Sequence, residues 1–249
     1  MMRAYFDDSG THTGSRVMVM GGLCGTVAQW DEFEQAWAAK LAEPLPGKPP
    51  LRKFHLSECN AGRGQFEGYS EAEQDAATHD FRQILIGAKL RSVAYAIDRL
   101  AWDELVIGVH RERLGADPLH YCAEYCTLWA LSQAQDDHPD WAASVMFDEG
   151  VYTPALAALL EPMGRPQMRP RITLIRGGAV DLVLPLQGAD IVATENYWHM
   201  GEALKLGGDA EPRAHMRHYL RNMVHEGLIL DREALEAMLV SPEYLEAYA

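Results

Sequence analysis

Cysteine is scarce in this sequence and follows no regular spacing. The 249 residues contain 4 cysteines, at positions 24, 59, 122 and 126. This is too few for the disulfide framework of a secreted protein, and no second cysteine pair or histidine pair completes a zinc-binding signature. Cys122 and Cys126 are one helical turn apart, which favours two thiols facing an apolar core over a metal site.

Long apolar runs are also missing. No segment approaches the roughly 20 apolar residues that a membrane span requires. The first residues, Met1 to Tyr5, lack the apolar core of a secretory signal. We therefore expect a cytoplasmic protein with no membrane partner. Internal repeats, low-complexity tracts and clear linkers are absent as well, which predicts one domain with a C-terminal extension.

Positive charge is the third deficit. The chain has 22 Lys and Arg against 36 Asp and Glu, a formal net charge of -14. Such a charge repels phosphate backbones at long range. Contact with nucleic acid would therefore require local basic patches or bridging cations.

Two local clusters of basic residues could supply such a patch. The first recurs every four residues and would form one stripe on a helix: Arg213, Arg217 and Arg221, with His218 and His225 alongside. The second contains Arg165, Arg169, Arg171 and Arg176. Each cluster is either a substrate-binding surface or an ordinary solvated face.

Apolar residues make up 48% of the chain, enough for a sizeable core. Apolar runs predict strands at 3–8, 16–23, 90–98, 144–148 and 171–175. Apolar residues that recur every three or four positions predict a helix at 29–41 and others beginning near Ser70, Asp117, Thr153 and Leu184. The near-continuous apolarity of 16–23 predicts burial on both faces of that strand. Residues 207–249 are predicted to form two helical pieces.

The predicted helix from Leu184 contains an unusual polar pair. Pro185 suits the first turn, where no backbone donor is needed. Gln187 and Asp190 are three residues apart, so they project side by side next to an apolar wall. A buried ionised carboxylate is costly. Asp190 is therefore expected to be shallow, paired or bound to a metal, unless the helix simply turns it towards water.

The order of the acidic residues along the predicted elements indicates a metal-dependent chemistry. Asp7 and Asp8 end the first strand, Asp148 and Glu149 end a later strand, and Asp190 lies on the helix after the last strand. Phosphoryl-transfer nucleases hold two divalent cations ~4 Å apart with converging carboxylates. Hard oxygen ligands favour Mg²⁺ or Mn²⁺.

This arrangement predicts an α/β fold with a ribonuclease H-like mixed sheet flanked by helices. We expect that domain to span residues 1–205, with a helical insertion at about 26–88, after the second strand. Residues 206–249 are predicted to be a helical C-terminal extension packed on the same domain. Asp98, at the end of the third predicted strand, is a further candidate acid.

Four short motifs resemble a bacterial family, domain of unknown function 3800. Tyr5-Phe6-Asp7-Asp8-Ser9-Gly10 is similar to the Asp-Glu-Ser-Gly signature of the family, with Asp8 in place of its usual Glu. Phe54-His55 with Glu58, Phe147-Asp148, and the Gln-x-x-Asp motif at Gln187 and Asp190 match other marked positions, and the likeness spans Arg3 to about Ala203. The resemblance implies a ribonuclease H-like fold and nuclease activity.

Roles for these residues follow as hypotheses. Asp7, Asp148 and Asp190 are predicted to hold the cations, and Gln187 to orient a ligand or phosphate. Asp8 is one methylene shorter than Glu, so it would reach a metal only through water, or it is a turn acid. His55, a natural proton carrier, either contacts the substrate or metal-bound water or packs on the sheet as a loop residue. Glu58 has the same alternatives, and whether Asp98 and Glu149 join the site is left open.

Two classes of function remain open from the sequence. The first is a metal-dependent phosphodiesterase acting on RNA or DNA. The second is a catalytically inactive ribonuclease H-like module that binds a partner protein or nucleic acid. Metal affinity separates the two, because only the first requires Mg²⁺ or Mn²⁺ at the carboxylates.

Overall fold

A computed structural model describes residues 1–137, 142–164, 172–206 and 210–247. The strands are β1 (Met2–Ser9), β2 (Val17–Thr26), β3 (Arg91–Asp98), β4 (Ala143–Asp148), β5 (Ile172–Gly178) and β6 (Val224–Leu230). The longer helices are α1 (Val27–Ala42), α3 (Glu71–Gly87), α6 (Pro118–Asp137), α8 (Leu184–Lys205) and α9 (Ala214–Asn222). The short helices are α2 (Leu56–Asn60), α4 (Arg99–Leu105), α5 (Val109–Leu114), α7 (Pro154–Leu160), α10 (Arg232–Leu239) and α11 (Pro242–Ala247).

Within the described ranges, the strands form one mixed sheet in the order β5-β4-β1-β2-β3-β6. The first three strands are an antiparallel meander, since β2 pairs antiparallel with both β1 and β3. The other pairings, β1 with β4, β4 with β5 and β3 with β6, are parallel. The prediction of a mixed α/β sheet flanked by helices is therefore confirmed.

Local sequence signals account for most of these elements. Thr26 begins α1 and Ser70 begins α3, each with a reciprocal capping box to the residue three positions on, Gln29 and Glu73. Thr153 caps α7 and accepts a hydrogen bond from the Leu156 amide, just ahead of Pro154. Strand β2 is buried on both faces as predicted, with only Thr26 at its end partly exposed.

Each face of the sheet covers a separate apolar core. Even-numbered residues of β1, such as Phe6, pack with Cys122 and Cys126 of α6, and both thiols are buried and free. Odd-numbered residues, such as Tyr5, pack with α1, α3 and α8, including Leu186. This alternation follows from the two-residue period of a strand. The predicted core-facing position of the two cysteines is confirmed.

The C-terminal segment corrects one prediction. Residues after 205 were expected to be helical, yet Val224–Leu230 is a strand that pairs parallel with β3. The intrinsic preference of the segment is weak because its sequence includes Glu226 and Gly227, so pairing with the free edge of β3 decides its structure. The division of the chain at residue 205 stays a prediction. Among the described residues, no helix combines the length and apolarity needed to cross a membrane.

Candidate active site

The site forms where β1 and β4 end. Phe6 of β1 is opposite Phe147 of β4 in parallel register, so Asp7 and Asp148 are the next residues of adjacent strands. Tyr5 and Met146, two residues earlier, belong to the core beneath α8. Because side chains alternate between the two faces, Asp7 and Asp148 also project towards the α8 side.

Helix α8 brings the third acid to the same place. Gly21 of β2 pairs with Asp7. A Cβ atom at Gly21 would lie 2.6 Å from the Ala193 nitrogen and 2.7 Å from its Cα. The absence of a side chain at Gly21 therefore lets the backbone of α8 rest directly on the sheet beside Asp7. Asp190 lies one turn earlier on α8 and is only 4% exposed.

Burial and mutual repulsion perturb these carboxyl groups. Burial raises the pKa of Asp7 well above its ordinary value, and the charges of Asp190, Asp8 and Asp148 raise it further. Burial also raises the pKa of Asp8, against the opposing effect of the Thr11 hydroxyl, which donates to its Oδ2 at 2.6 Å. The site is thus a desolvated group of acids that repel one another.

Asp190 is held in place by three groups. Its Oδ2 accepts a hydrogen bond from the Leu56 amide at 2.9 Å, and its Oδ1 accepts one from the Thr194 hydroxyl at 3.2 Å. His55 Nε2 lies 3.6 Å from Oδ1. Burial raises the pKa of Asp190, while the His55 charge and these hydrogen bonds act in the opposite direction.

His55 and Glu58 enter the site from the segment that begins α2. His55 is the residue before α2, and its side chain is 35% exposed. Its Nδ1 atom lies 3.3 Å from Glu58 Oε1, without the geometry of a hydrogen bond. His55 therefore stands between two carboxylates and is partly open to solvent, which suits a residue that carries protons.

Gln187 makes its contacts within the protein. It is 0% exposed, and its Oε1 accepts hydrogen bonds from Trp37 Nε1 and the Phe54 amide, both at 2.9 Å. Its Nε2 donates to the Val180 carbonyl at 3.1 Å. Both acceptor positions of the amide oxygen are used, so this residue is placed to fix the His55 segment against α8 rather than to contact a ligand.

A cleft of about 420 Å³ opens beside Asp8, His55 and Asp190. Thr194, Tyr197 and Trp198, which follow Asp190 on α8, also line it, and Arg63 and His12 contribute from loops. Sequence analysis missed these additional cleft residues. The positions 190, 194 and 197 do share one face of a helix, so a periodic signal for the α8 wall was present.

The donor set is of the kind that hard cations prefer, but it is not assembled around one. In the described part of the chain, no three His, Cys, Asp or Glu side chains are grouped as metal ligands. Asp7 Oδ1 accepts from the Asp8 amide at 2.8 Å and Asp148 Oδ2 from the Gly150 amide at 2.9 Å. Each of these contacts involves one oxygen of the carboxylate. Carboxylate oxygens suit a divalent cation in chemical type.

The three arginines of the predicted stripe lie on or next to α9 and have different surroundings, and their role in binding a substrate stays a prediction. Arg213 precedes α9, and its guanidinium lies 4.9 Å from the centre of the Trp198 ring. Arg217 Nη1 pairs with Glu211 Oε2 at 3.1 Å, and Arg221 is exposed. In the second cluster, Arg176 is exposed on β5, and Arg165, Arg169 and Arg171 lie outside the described residues.

The remaining acids differ in their surroundings. Asp98 caps α4 through the Leu100 amide at 3.1 Å and pairs with Arg16 at 2.7 Å, so both of its contacts are structural. Glu149 is exposed beyond the end of β4.

Comparisons with known proteins give little further information. No protein-family model matches the chain, so membership of the domain of unknown function 3800 family stays a prediction. No curated protein shows significant similarity to it. A chain of the solved PCNA:RNase HII complex from Archaeoglobus fulgidus aligns with 17% sequence identity and a TM-score of 0.41, covering 89% of this chain and 87% of that chain. An identity and a TM-score this low assign neither a fold family nor an activity.

Proposed function

We propose that this protein is a divalent-metal-dependent phosphodiesterase with a ribonuclease H-like sheet, acting on RNA or DNA. The observation that carries the proposal is that Asp7 and Asp148 end adjacent parallel strands on the face that α8 covers with Asp190. Burial raises the pKa of Asp7, and repulsion from Asp190 and Asp148 raises it further. A cation would remove that repulsion, so the apo site has a physical reason to bind one.

The strand order supports the fold assignment. An antiparallel meander is followed by two strands that continue the sheet in parallel from β1. Ends of neighbouring parallel strands are where ligand-binding groups tend to gather. Asp7 and Asp148 occupy such ends, and α8 adds Asp190.

In this proposal Asp7, Asp148 and Asp190 hold Mg²⁺ or Mn²⁺, with Asp8 at the rim. When bound, such ions polarise a phosphoryl oxygen and activate water. The chain itself contributes the rest. His55, between Asp190 and Glu58, accepts or releases a proton at Nε2, the nitrogen that faces Asp190. Gln187 keeps His55 in position through the Phe54 amide.

A catalytically inactive binding module is the second candidate. One observation favours it: both oxygens of Asp190 already accept hydrogen bonds within the protein. In that case the cleft would bind nucleic acid or a partner protein without cutting, and the acids would have no metal affinity.

A cleavage assay separates the two candidates. The full chain is incubated with end-labelled RNA and DNA, single-stranded and duplex, in Mg²⁺, Mn²⁺ or EDTA. We expect metal-dependent cleavage that falls by about a hundredfold or more in Asp148→Asn, because lost charge stabilisation of several kcal/mol changes rates on that scale.

Glu149→Gln is the matched control for that assay. It neutralises the adjacent acid, which is exposed, and should retain full activity. Equal loss in both variants would indicate a general effect of charge. No cleavage by the wild-type protein in either metal, together with no detectable metal binding by calorimetry, would favour the inactive module.

A further inference from the structure

Two aromatic residues of α8 line the cleft. Tyr197 and Trp198 follow Asp190 and Thr194 along α8, and all four residues line the same cleft. Trp30, Trp37, Trp102 and Trp129 are buried in the two cores. Trp198, in contrast, is only partly buried. A large ring that remains accessible in a cleft is available to a ligand.

Tyr197 is held in a defined orientation. Its hydroxyl accepts a hydrogen bond from the Ser15 hydroxyl at 3.3 Å. Its ring lies over Gly10, where a Cβ atom would be 2.6 Å from the ring and where φ is +79°. The His12 ring approaches edge-on, with centroids 6.4 Å apart. The glycine is therefore required both for the turn and for the close approach of the tyrosine.

A cationic side chain contacts Trp198. The Arg213 guanidinium lies over its ring at 4.9 Å, a cation–π contact. Arg213 thus contacts a residue of the cleft lining. Arg63, which is exposed, adds a positive charge to the lining of the same cleft.

We propose that this cleft binds an unpaired nucleotide, with its base stacked on the Tyr197–Trp198 wall and its phosphate near Arg63. The proposal rests on the proposed function and names its substrate class: single-stranded RNA or DNA. Bases in a duplex already stack on their neighbours, whereas an unpaired base offers a free π-face to an aromatic side chain. A volume of about 420 Å³ is within the range of small-ligand sites.

Fluorescence polarisation with a fluorescein-labelled 12-nucleotide single strand tests this. The full chain carrying Asp148→Asn serves as background, with Mg²⁺ present, so that the probe is not cut. DNA and RNA versions and the matched duplex are compared. We expect the single strand to bind about tenfold or more tightly than the duplex, and Trp198→Leu to weaken single-strand binding by about tenfold, on the scale of one lost stacking contact.

Two further measurements separate stacking from a general defect. Trp198→Phe keeps an aromatic face and should retain most of the affinity. The background protein should bind a probe with abasic positions about tenfold more weakly than the intact probe. The Trp198→Leu variant should bind the two probes with equal affinity. Each variant is first checked for an unchanged melting temperature, and if Trp198→Leu is unstable, the abasic probe alone decides.

The outcomes distinguish the two proposals. Equal affinity for single strand and duplex, no binding of the single strand, or no effect of both Trp198→Leu and the abasic positions would overturn stacking, even if wild type cleaves nucleic acid. If the protein binds the single strand by stacking but the wild type cleaves no nucleic acid, this inference stands and the phosphodiesterase proposal fails.

Discussion

The two helices that cross the sheet bury different kinds of polar group. On the face packed against α6, the buried polar residues of the helix are uncharged, and Thr127 bonds within its own helix to the Ala123 carbonyl at 2.7 Å. On the opposite face, α8 buries two carboxylates, Asp190 and Glu195, each 4% exposed.

The two carboxylates of α8 are stabilised to different degrees. Glu195 is paired with Arg82 of α3, which is also buried. Asp190 receives hydrogen bonds and a nearby histidine, yet its charge still raises the pKa of Asp7. Burying a charge is costly unless it is paired. Glu195 is therefore a structural charge with a full partner, whereas the charge of Asp190 is only partly compensated. Incomplete compensation of this kind is typical of functional sites.

Removing Arg82 should have the largest effect on stability. Arg82→Met leaves Glu195 buried without its partner, so we expect a loss of about 3 to 5 kcal/mol in the free energy of unfolding. Urea denaturation measures it. Thr127→Val, the corresponding change on the α6 face, removes one neutral hydrogen bond and should cost about 1 kcal/mol.

The double variant Arg82→Met with Glu195→Met completes that test. Replacing both members of a buried pair by apolar residues of similar size is often neutral. The double variant should therefore recover most of the stability that the single variant loses. If Arg82→Met costs no more than Thr127→Val, the two faces do not differ in the way described.

Local patterns predicted much of this architecture from sequence. The apolar runs of β1 to β5, the apolar periodicity of α1 and the capping residues of α3 and α7 are short-range signals, so those elements appear where expected. The polar pair on α8 was also visible, because a helical period relates Gln187 to Asp190. The placement of Asp7 and Asp148 at strand ends was visible in the same way, because each follows an apolar run.

Contacts between distant segments were not predictable. The Arg82–Glu195 pair joins residues 113 positions apart, and no local pattern indicates it. The role of Gln187 depends on Trp37 and Phe54, which reach it through tertiary packing. Strand β6 forms at the edge of β3 although its own sequence is ambiguous. In each case the partner, rather than the segment, determines the structure.

Gly21→Ala should have an intermediate effect. The added methyl group would meet the backbone of Ala193 at 2.6 Å, so α8 has to move away from the sheet. Overpacking of this kind costs about 1 to 3 kcal/mol. The shift also separates Asp190 from Asp7, so the rise in melting temperature on adding Mn²⁺ should shrink.

Gly201→Ala is the control in the same helix. No atom of the described residues lies within 4 Å of a Cβ built there. Alanine should therefore stabilise α8 by about 0.5 to 1 kcal/mol and leave the response to Mn²⁺ unchanged. Thermal unfolding of both variants, with and without Mn²⁺, provides the comparison. A normal manganese response in a destabilised Gly21→Ala would show that the approach of α8 does not form the metal site.

Asp190→Asn should change the stability least, but whether it raises or lowers the stability is the most informative result. Asn keeps the size of Asp and an oxygen that can accept from the Leu56 amide. It removes one of the charges that raise the pKa of Asp7. Because the pKa of Asp7 is raised, the folded protein binds more protons than the unfolded chain. The stability of the wild-type protein therefore falls as pH rises above about 4. In EDTA at neutral pH, the variant should therefore be as stable as wild type or slightly more stable, with a flatter dependence on pH.

Manganese distinguishes this from a structural role of Asp190. A ligand at 100 times its Kd stabilises the folded state by about 2.7 kcal/mol, so wild type should gain melting temperature with Mn²⁺ and Asp190→Asn should gain much less. Asp31→Asn, an exposed acid on α1, should respond as wild type does. If Asp190 is instead a structural partner of His55, which lies 3.6 Å away, its loss should destabilise the protein in EDTA. A variant that unfolds far earlier in EDTA, yet keeps the full manganese response, would place Asp190 outside the metal site, because its charge would then be contributing to the fold and not to the cation.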